Sequence, residues 1–170
     1  MSKNNNILFI SVLSILSIIL IYFNWSYNIE TQDQQVAHKA KAMVLTCMDF
    51  RLIDDAVKYL DKNGYNNNYD EYILAGASLG YNQNTYPDWS LTFQEHIDLA
   101  LKLHHIREII LIDHENCGAY KLLISNYESS KELEYHKFNL ALAKNTLQQK
   151  YPNLKITTLF MKLNGEVIKL

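Results

Sequence analysis

Two short segments of the chain concentrate the side chains that could do chemistry. In the first, CMDFR, alternate side chains of an extended backbone share one face, so Cys47, Asp49 and Arg51 would point to the same side. In the second, HENCG, His114 and Cys117 stand three residues apart, which lets both side chains of one tight turn reach one ion. Thiolate and imidazole groups are ligands suited to zinc.

Three protein ligands would leave one tetrahedral position of a zinc ion open, as in catalytic rather than structural sites. We expect water in that position. A site with two thiolates would lower the pKa of this water less than a site with three neutral histidines does. Asp49 can accept a hydrogen bond from that water, while Arg51 can keep Asp49 ionised and hold it off the metal. If Arg51 released it, Asp49 could become a fourth ligand and close the site.

Other interpretations of the same residues stay open at this point. Cys47 can be a buried cysteine at the end of a strand, beside a surface ion pair. Cys47 and Cys117 can also form a disulfide in an oxidising compartment, or be inert thiols near a solvated histidine. A disulfide would not account for the presence of His114, Asp49 and Arg51.

The elements around these segments predict an α/β fold with a mostly parallel sheet flanked by helices. Apolar patterning predicts strands at 43–46, 72–74, 108–113 and 154–163, and helices at 52–62, 92–103 and 131–150. Thr92 and Glu95 resemble a capping box, residues 81–90 are predicted to be a loop, and Asn164-Gly165 predicts a hairpin to a last strand. Both chemical segments follow a predicted strand, where ligands of such sheets bind.

Composition limits the classes of protein that this chain can belong to. Its 170 residues, 48% of them hydrophobic, predict one domain plus a short appendage. The formal net charge of -2 gives no positive field for a nucleic acid, so we expect no nucleic-acid partner. Two cysteines are too few for a disulfide framework.

The N-terminal appendage contains an uncharged apolar run at residues 7–23. Its length is near the lower limit for a membrane span of roughly 17 to 25 residues, and it predicts a transmembrane anchor after a tail at 1–6. A cleaved signal sequence and a buried helix are the alternatives. We expect a linker at 24–41 and the catalytic domain at 42–170, in a single-pass membrane protein whose domain is extracytoplasmic, or secreted if the segment is cleaved.

Three segments, in their order and spacing, resemble the β-class carbonic anhydrases, in particular their short, compact branch. These segments are TCMDFRL at 46–52, AGAS at 75–78 and REIILIDHENCGA at 107–119. The resemblance implies that Cys47, His114 and Cys117 bind one Zn²⁺ per chain and that Asp49 and Arg51 form the catalytic dyad. The implied reaction is the reversible hydration of CO₂ to bicarbonate and a proton.

The same resemblance implies a substrate pocket and an assembly. Small residues would shape a pocket for CO₂ and bicarbonate, and we expect Gly76, Ala77 and Gly118 to line it. The family forms dimers or larger assemblies with the site at the subunit boundary, so a homodimer or higher homo-oligomer is implied. Membrane attachment through residues 7–23 would be an addition to the usual family pattern.

The chain departs from the family pattern at three places near the predicted site. Ile73 and Leu74 replace the usual Arg-Asn pair, Asp113 replaces a frequent glycine, and Phe50 stands where a small residue is common. These departures leave two other functions open. One is an enzyme of the same scaffold that acts on another small C=O or C=S electrophile. The other is a membrane-tethered zinc-binding or redox module without turnover.

Three histidines outside the two segments carry weaker signals. His104 and His105 lie at a predicted helix end, and His136 lies in a charged helical stretch. We expect all three at solvent-exposed or helix-capping positions, with a proton-shuttle role as the alternative.

Overall fold

The computed structural model describes residues 17–24 and 38–170 of the chain. The chain divides into two compact units, Met1–His38 and Lys39–Leu170. In the first unit, residues 17–24 form helix α1. The second unit carries the sheet and both chemical segments, and it includes the whole of the predicted catalytic domain.

The predicted membrane anchor at residues 7–23 is corrected by the structure. Of the predicted anchor, the structure describes residues 17–23, which lie in helix α1. Among the described residues, no helix is both long enough and apolar enough to cross a membrane. Residues 7–16 of the predicted anchor lie outside the described residues. The predicted single-pass membrane localisation is therefore wrong on this finding.

A five-stranded sheet with the order β2-β1-β3-β4-β5 forms the centre of the second unit. Its strands are β1 (Ala42–Thr46), β2 (Tyr69–Ile73), β3 (Glu108–His114), β4 (Lys155–Met161) and β5 (Val167–Lys169). The first four strands pair in parallel, and β5 pairs antiparallel with β4 after the Asn164-Gly165 turn. The predicted α/β class, mostly parallel sheet and C-terminal hairpin are confirmed.

Helices cover both faces of the sheet, which explains why β3 is apolar along most of its length. The helices are α2 (Ile53–Lys62), α3 (Ser78–Asn82), α4 (Asp88–His104), α5 (Gly118–Leu123) and α6 (Glu132–Lys150). From β3, Ile109 and Leu111 pack with residues of α4 and α6, whereas Ile110 and Ile112 pack with residues of α2. All seven residues of β3 are buried, as expected for a parallel strand covered on both sides.

The predicted loop at 81–90 is shorter in the structure, and the predicted helix cap is wrong. Helix α3 extends to Asn82 and α4 already begins at Asp88. Thr92 lies inside α4, where its Oγ1 donates a hydrogen bond to the carbonyl of Asp88 at 2.7 Å. Pro87, whose ring holds φ at a helical value, precedes the helix instead. The second half of the predicted loop thus contains the first residues of α4.

The glycine at position 80 allows helix α3 to lie against the segment that precedes it. A β-carbon at Gly80 would collide with the carbonyl oxygen of Ala75 and lie 2.9 Å from Cγ of Leu74. At Gly118, the first residue of α5, an added β-carbon would meet nothing within 4 Å. These two glycines therefore form a matched pair for substitution by alanine.

We expect Gly80→Ala to lower the free energy of unfolding by about 1–3 kcal/mol, because the packed segment must shift. Gly118→Ala should change it by less than about 1 kcal/mol. Urea unfolding followed by circular dichroism measures both values. Equal stabilities of the two variants would contradict the close packing of α3 on residues 74–75.

Candidate metal centre and active site

The pairing of β1 with β3 brings the two chemical segments to one edge of the sheet. The strands run in parallel with Thr46 opposite Ile112, so Cys47 and His114 lie at the same carboxyl edge. Cys117 follows His114 after a turn and directly precedes α5. The ligand atoms of Cys47, His114 and Cys117 all lie within 4.8 Å of one another. The structure thus brings the three predicted zinc ligands together.

The two sulfur atoms lie close together without forming a bond. Sγ of Cys47 and Sγ of Cys117 are 3.9 Å apart, and both cysteines are free. The contact with Cys117 lowers the pKa of the Cys47 thiol to about 4, and the same contact raises the pKa of Cys117 above its ordinary value. Two thiolates at this separation repel each other, so a cation between them would be needed for both to ionise.

The imidazole of His114 is oriented as a metal ligand. Its Nδ1 lies 2.8 Å from the carbonyl oxygen of Glu115, to which it can donate a hydrogen bond. That bond leaves the lone pair on Nε2, which is buried and has no hydrogen-bond partner among the described residues. A backbone carbonyl at the far nitrogen is the usual arrangement of metal-ligating histidines. With the two cysteine sulfurs, this unpartnered nitrogen forms a donor set that fits a zinc ion.

Asp49 and Arg51 form a bidentate pair beside the cluster. Nε and Nη2 of Arg51 donate to the two carboxylate oxygens of Asp49 at 2.9 and 2.6 Å. These hydrogen bonds lower the pKa of Asp49 to about 2. The carboxylate lies 3.9 Å from Nε2 of His114, close to the cluster but held by the arginine. Asp49 and Arg51 are therefore paired beside the cluster, and their catalytic role stays a prediction.

Residues that the sequence analysis did not identify hold Arg51 in position. Nη2 of Arg51 also donates to the carbonyl oxygen of Asn116 at 3.1 Å. The backbone N–H of Asn116 donates to Oε1 of Glu132 at 2.8 Å, and the hydroxyl of Tyr127 donates to the same oxygen. Asn116 has a φ of 58°, which asparagine tolerates in turns and which its position in HENCG could have indicated. Glu132 gives no such signal, because only the fold brings it near.

An apolar cavity of about 150 Å³ lies beside Cys47 and His114. Its other lining residues are Thr46, Met48, Leu52, Ile53, Ala56, Val57, Glu71, Ile73, Ile112 and Met161. Ile73, one of the departures from the family pattern, therefore contributes apolar surface to it. The cavity can admit a small apolar molecule next to the ligand cluster.

The three residues predicted to line a substrate pocket lie elsewhere around the cluster. The backbone N–H of Gly76 donates to Sγ of Cys47 at 3.3 Å. Ala77 is fully buried with a φ of 41°, and Gly118 is exposed at the start of α5. Gly76 thus contacts a ligand, and the substrate role of all three residues stays a prediction.

The three histidines outside the cluster differ in their surroundings. Nδ1 of His104 pairs with Asp70 at 2.8 Å, and His105 ends α4 in a left-handed conformation, so both occupy helix-end positions as expected. The expectation for His136 is wrong: this residue is fully buried, and its Nδ1 lies 2.9 Å from the carboxylate of Asp113. The charged residues around His136 in the sequence therefore did not indicate its buried contact with Asp113.

Known structures share this fold. A tetrameric β-carbonic anhydrase of Sordaria macrospora matches with a TM-score of 0.56 at 11% identity, over 92% of this chain and 96% of that one. A mutant of the β-carbonic anhydrase CafD of Aspergillus fumigatus matches with a TM-score of 0.53 at 14% identity, over 80% and 92%. At these identities the likeness shows the fold.

Sequence relatives and a family model identify the family of this chain. Uncharacterized proteins of Rickettsia conorii and Rickettsia bellii are both 34% identical over 143 residues, which cover 82% of this chain and 77% and 87% of theirs. The family model described as "Putative carbonic anhydrase" matches residues 37–170, which include every residue of the site described above. The chain therefore belongs to this carbonic anhydrase family.

Proposed function

We propose that this protein is a zinc-dependent carbonic anhydrase, which reversibly hydrates CO₂ to bicarbonate and a proton. The observation that carries the proposal is the Cys47, His114 and Cys117 cluster, in which the buried Nε2 of His114 has no hydrogen-bond partner among the described residues. Membership of the carbonic anhydrase family supports the reaction. The arginine-held carboxylate and the apolar cavity beside the cluster supply the remaining parts of such a site.

Cys47, His114 and Cys117 would hold one zinc ion per chain. When bound, zinc supplies the Lewis acidity that makes water a nucleophile near neutral pH. The N–H of Gly76 stabilises the Cys47 thiolate, and the carbonyl of Glu115 fixes the tautomer of His114. These contacts favour the protonation states of Cys47 and His114 that metal binding requires.

Asp49 orients the reacting water in this proposal. Its carboxylate stays ionised because Arg51 donates to both oxygens, and an ionised carboxylate can only accept a hydrogen bond. A water that donates one hydrogen to Asp49 is turned so that a lone pair faces the substrate. Arg51 in turn is held by the carbonyl of Asn116, which fixes the position of the carboxylate. The released proton passes to solvent or buffer.

The apolar cavity supplies the place for CO₂. Carbon dioxide has no net charge or dipole, so apolar walls bind it without the loss of hydrogen bonds that a polar substrate would suffer. Side chains of Ile53, Val57 and Ile73 line this cavity and are also partly exposed to solvent. These side chains form an exposed apolar rim around the cavity, which is also a surface that another chain could cover.

We propose that a second copy of the chain covers this rim in a homodimer or higher homo-oligomer. Met48, Ile53 and Ile73 line the cavity and are 67%, 56% and 53% exposed. In this rim we include Phe50, which directly follows Asp49 and is 82% exposed. The similar Sordaria enzymes are described as tetrameric, which supports a homo-oligomer here.

Loss of a ligand should remove the metal and the activity together. We expect the unaltered full chain to contain one zinc per chain and to hydrate CO₂, and Cys47→Ser and His114→Ala to lose both. Elemental analysis and stopped-flow CO₂ hydration on the same samples measure these properties. His104→Ala, which alters a helix-end histidine outside the site, is the control and should keep both. Zinc retained at full stoichiometry by Cys47→Ser would contradict the proposed ligand set.

The carboxylate of Asp49 should be needed for turnover but not for metal binding. Asp49→Asn keeps the shape of the side chain but replaces one acceptor oxygen by a donor, so we expect full zinc content and a loss of CO₂ hydration of about 100-fold or more. Asp54→Asn, at an exposed carboxylate of α2, is the matched control and should keep its activity. Full activity in Asp49→Asn would refute the orienting role.

A charge on the apolar rim should disrupt the assembly. We expect the unaltered chain to be a dimer or larger species by light scattering, and Phe50→Glu to shift it toward the monomer, because a carboxylate buried in an apolar interface is costly. Leu103→Glu changes a residue that is 55% exposed at the end of α4 and should leave the mass unchanged. A monomeric unaltered chain, or an oligomer insensitive to Phe50→Glu, would rule out this interface.

A further inference from the structure

Asp113 carries a buried carboxylate that the proposed reaction does not use. Its side chain is fully buried, and it accepts hydrogen bonds from four donors: the N–H and hydroxyl of Ser78, the hydroxyl of Tyr120 and Nδ1 of His136. Their distances to the carboxylate oxygens are 3.0, 2.6, 2.6 and 2.9 Å in that order. A buried carboxylate survives only when such donors replace its water.

Two of these donor residues, Ser78 and Tyr120, lie close to the predicted zinc ligands. Ser78 begins α3 two residues after Gly76, whose N–H donates to Sγ of Cys47. Tyr120 lies in α5, three residues after Cys117. Asp113 itself directly precedes His114 in β3. The carboxylate is therefore next to His114 in the chain, is bonded to the helix that follows Cys117, and is bonded to the residue after the turn that contacts Cys47.

The segment before Ser78 has a backbone that needs such a restraint. Gly76 has a φ of 76° and Ala77 a φ of 41°, in the left-handed region that residues with a β-carbon rarely adopt. A conformation of this kind persists only where the surroundings fix it. The two hydrogen bonds from Ser78 to Asp113 begin at the next residue along the chain. Asp113 thus fixes the turn that presents the Gly76 N–H to Cys47.

Asp113 acts on the ligands only through other residues. Successive side chains of a strand point to opposite faces, so Asp113 and His114 lie on different sides of the sheet. Asp113 faces Ser78, Tyr120 and His136, whereas His114 lines the cavity on the α2 side. The carboxylate of Asp113 does not line that cavity, so it can position the ligands but cannot contact a substrate there.

We propose that Asp113 is a positioning residue for the metal centre, whose carboxylate holds the turn at residues 76–78 and helix α5 so that the sulfur atoms of Cys47 and Cys117 stay in place to bind one ion. This inference rests on the zinc site of the proposed function. It also accounts for the aspartate that stands where the family pattern often has glycine. Ser78, Tyr120 and His136 are the partners through which it works.

The test compares Asp113→Asn with a buried carboxylate at the other end of the same strand. Glu108 accepts from Tyr65 and Thr157 and pairs with Lys155, so Glu108→Gln removes a similar charge far from the ligands. In the full chain, we expect Asp113→Asn to raise the dissociation constant for Zn²⁺ about 10- to 100-fold, measured by competition with a chelator. The thiolate absorption of the Co²⁺-loaded protein should shift as well. Glu108→Gln should leave both properties unchanged.

Tyr120→Phe provides a second variant that removes a single hydroxyl and keeps the ring packed on His136 at 3.7 Å between centroids. We expect a smaller rise of the Zn²⁺ dissociation constant, in the same direction, and this variant decides the matter if Asp113→Asn does not fold. Unchanged Zn²⁺ affinity and Co²⁺ spectrum in the folded variants, or an equal change in Glu108→Gln, would overturn the inference. An unaltered chain that binds neither Zn²⁺ nor Co²⁺ would overturn the proposed metal site as well.

Discussion

The parallel pairing of β1 with β3 is the interaction on which the candidate site depends. It places Thr46 opposite Ile112, so that the residues after both strands meet at one edge of the sheet. A slip of one residue would turn every side chain of a strand to the other face, so that residues now packed with α2 would meet α4 and α6 and the packing on both faces would be lost. The same burial that stabilises the sheet therefore fixes the distance between Cys47 and His114.

Two carboxylates near this edge of the sheet are stabilised in different ways. Asp49 remains near solvent and is paired with a full positive charge on Arg51, while Asp113 is buried and surrounded by dipolar donors. The first arrangement leaves an ionised acceptor close to the cluster, where it can meet water. The second gives hydrogen bonds of fixed direction that tie separate segments together. The sulfur atoms of Cys47 and Cys117 are 3.9 Å apart, so both could be ionised only with a cation close to them.

Residues that are close in sequence could be predicted, and those assembled by the fold could not. Apolar patterning predicted β3, and the CMDFR and HENCG segments predicted which side chains meet at the edge of the sheet. Asp113 was noticed only as a departure, since its partners Ser78 and His136 come from distant parts of the chain. Hydropathy alone likewise predicted a membrane span at residues 7–23, whereas no helix among the described residues is long and apolar enough to cross a membrane. The prediction of a loop at 81–90 was wrong at its start, where Tyr81 lies in α3 and is buried in the core. Burial of this kind depends on tertiary packing, which the local sequence does not reveal.

The separation of Cys47 and Cys117 by 70 residues has a consequence for the order in which the finished protein is made. No short piece of the chain contains the complete donor set, since HENCG alone supplies one histidine and one sulfur. Small zinc domains fold around their metal, but here the ligands meet only after a non-local strand pairing has formed. At the proposed zinc site, the fold would therefore form first and the ion would bind second. Scarcity of zinc during synthesis would then leave folded chains without metal, and a later supply could load them without renewed synthesis.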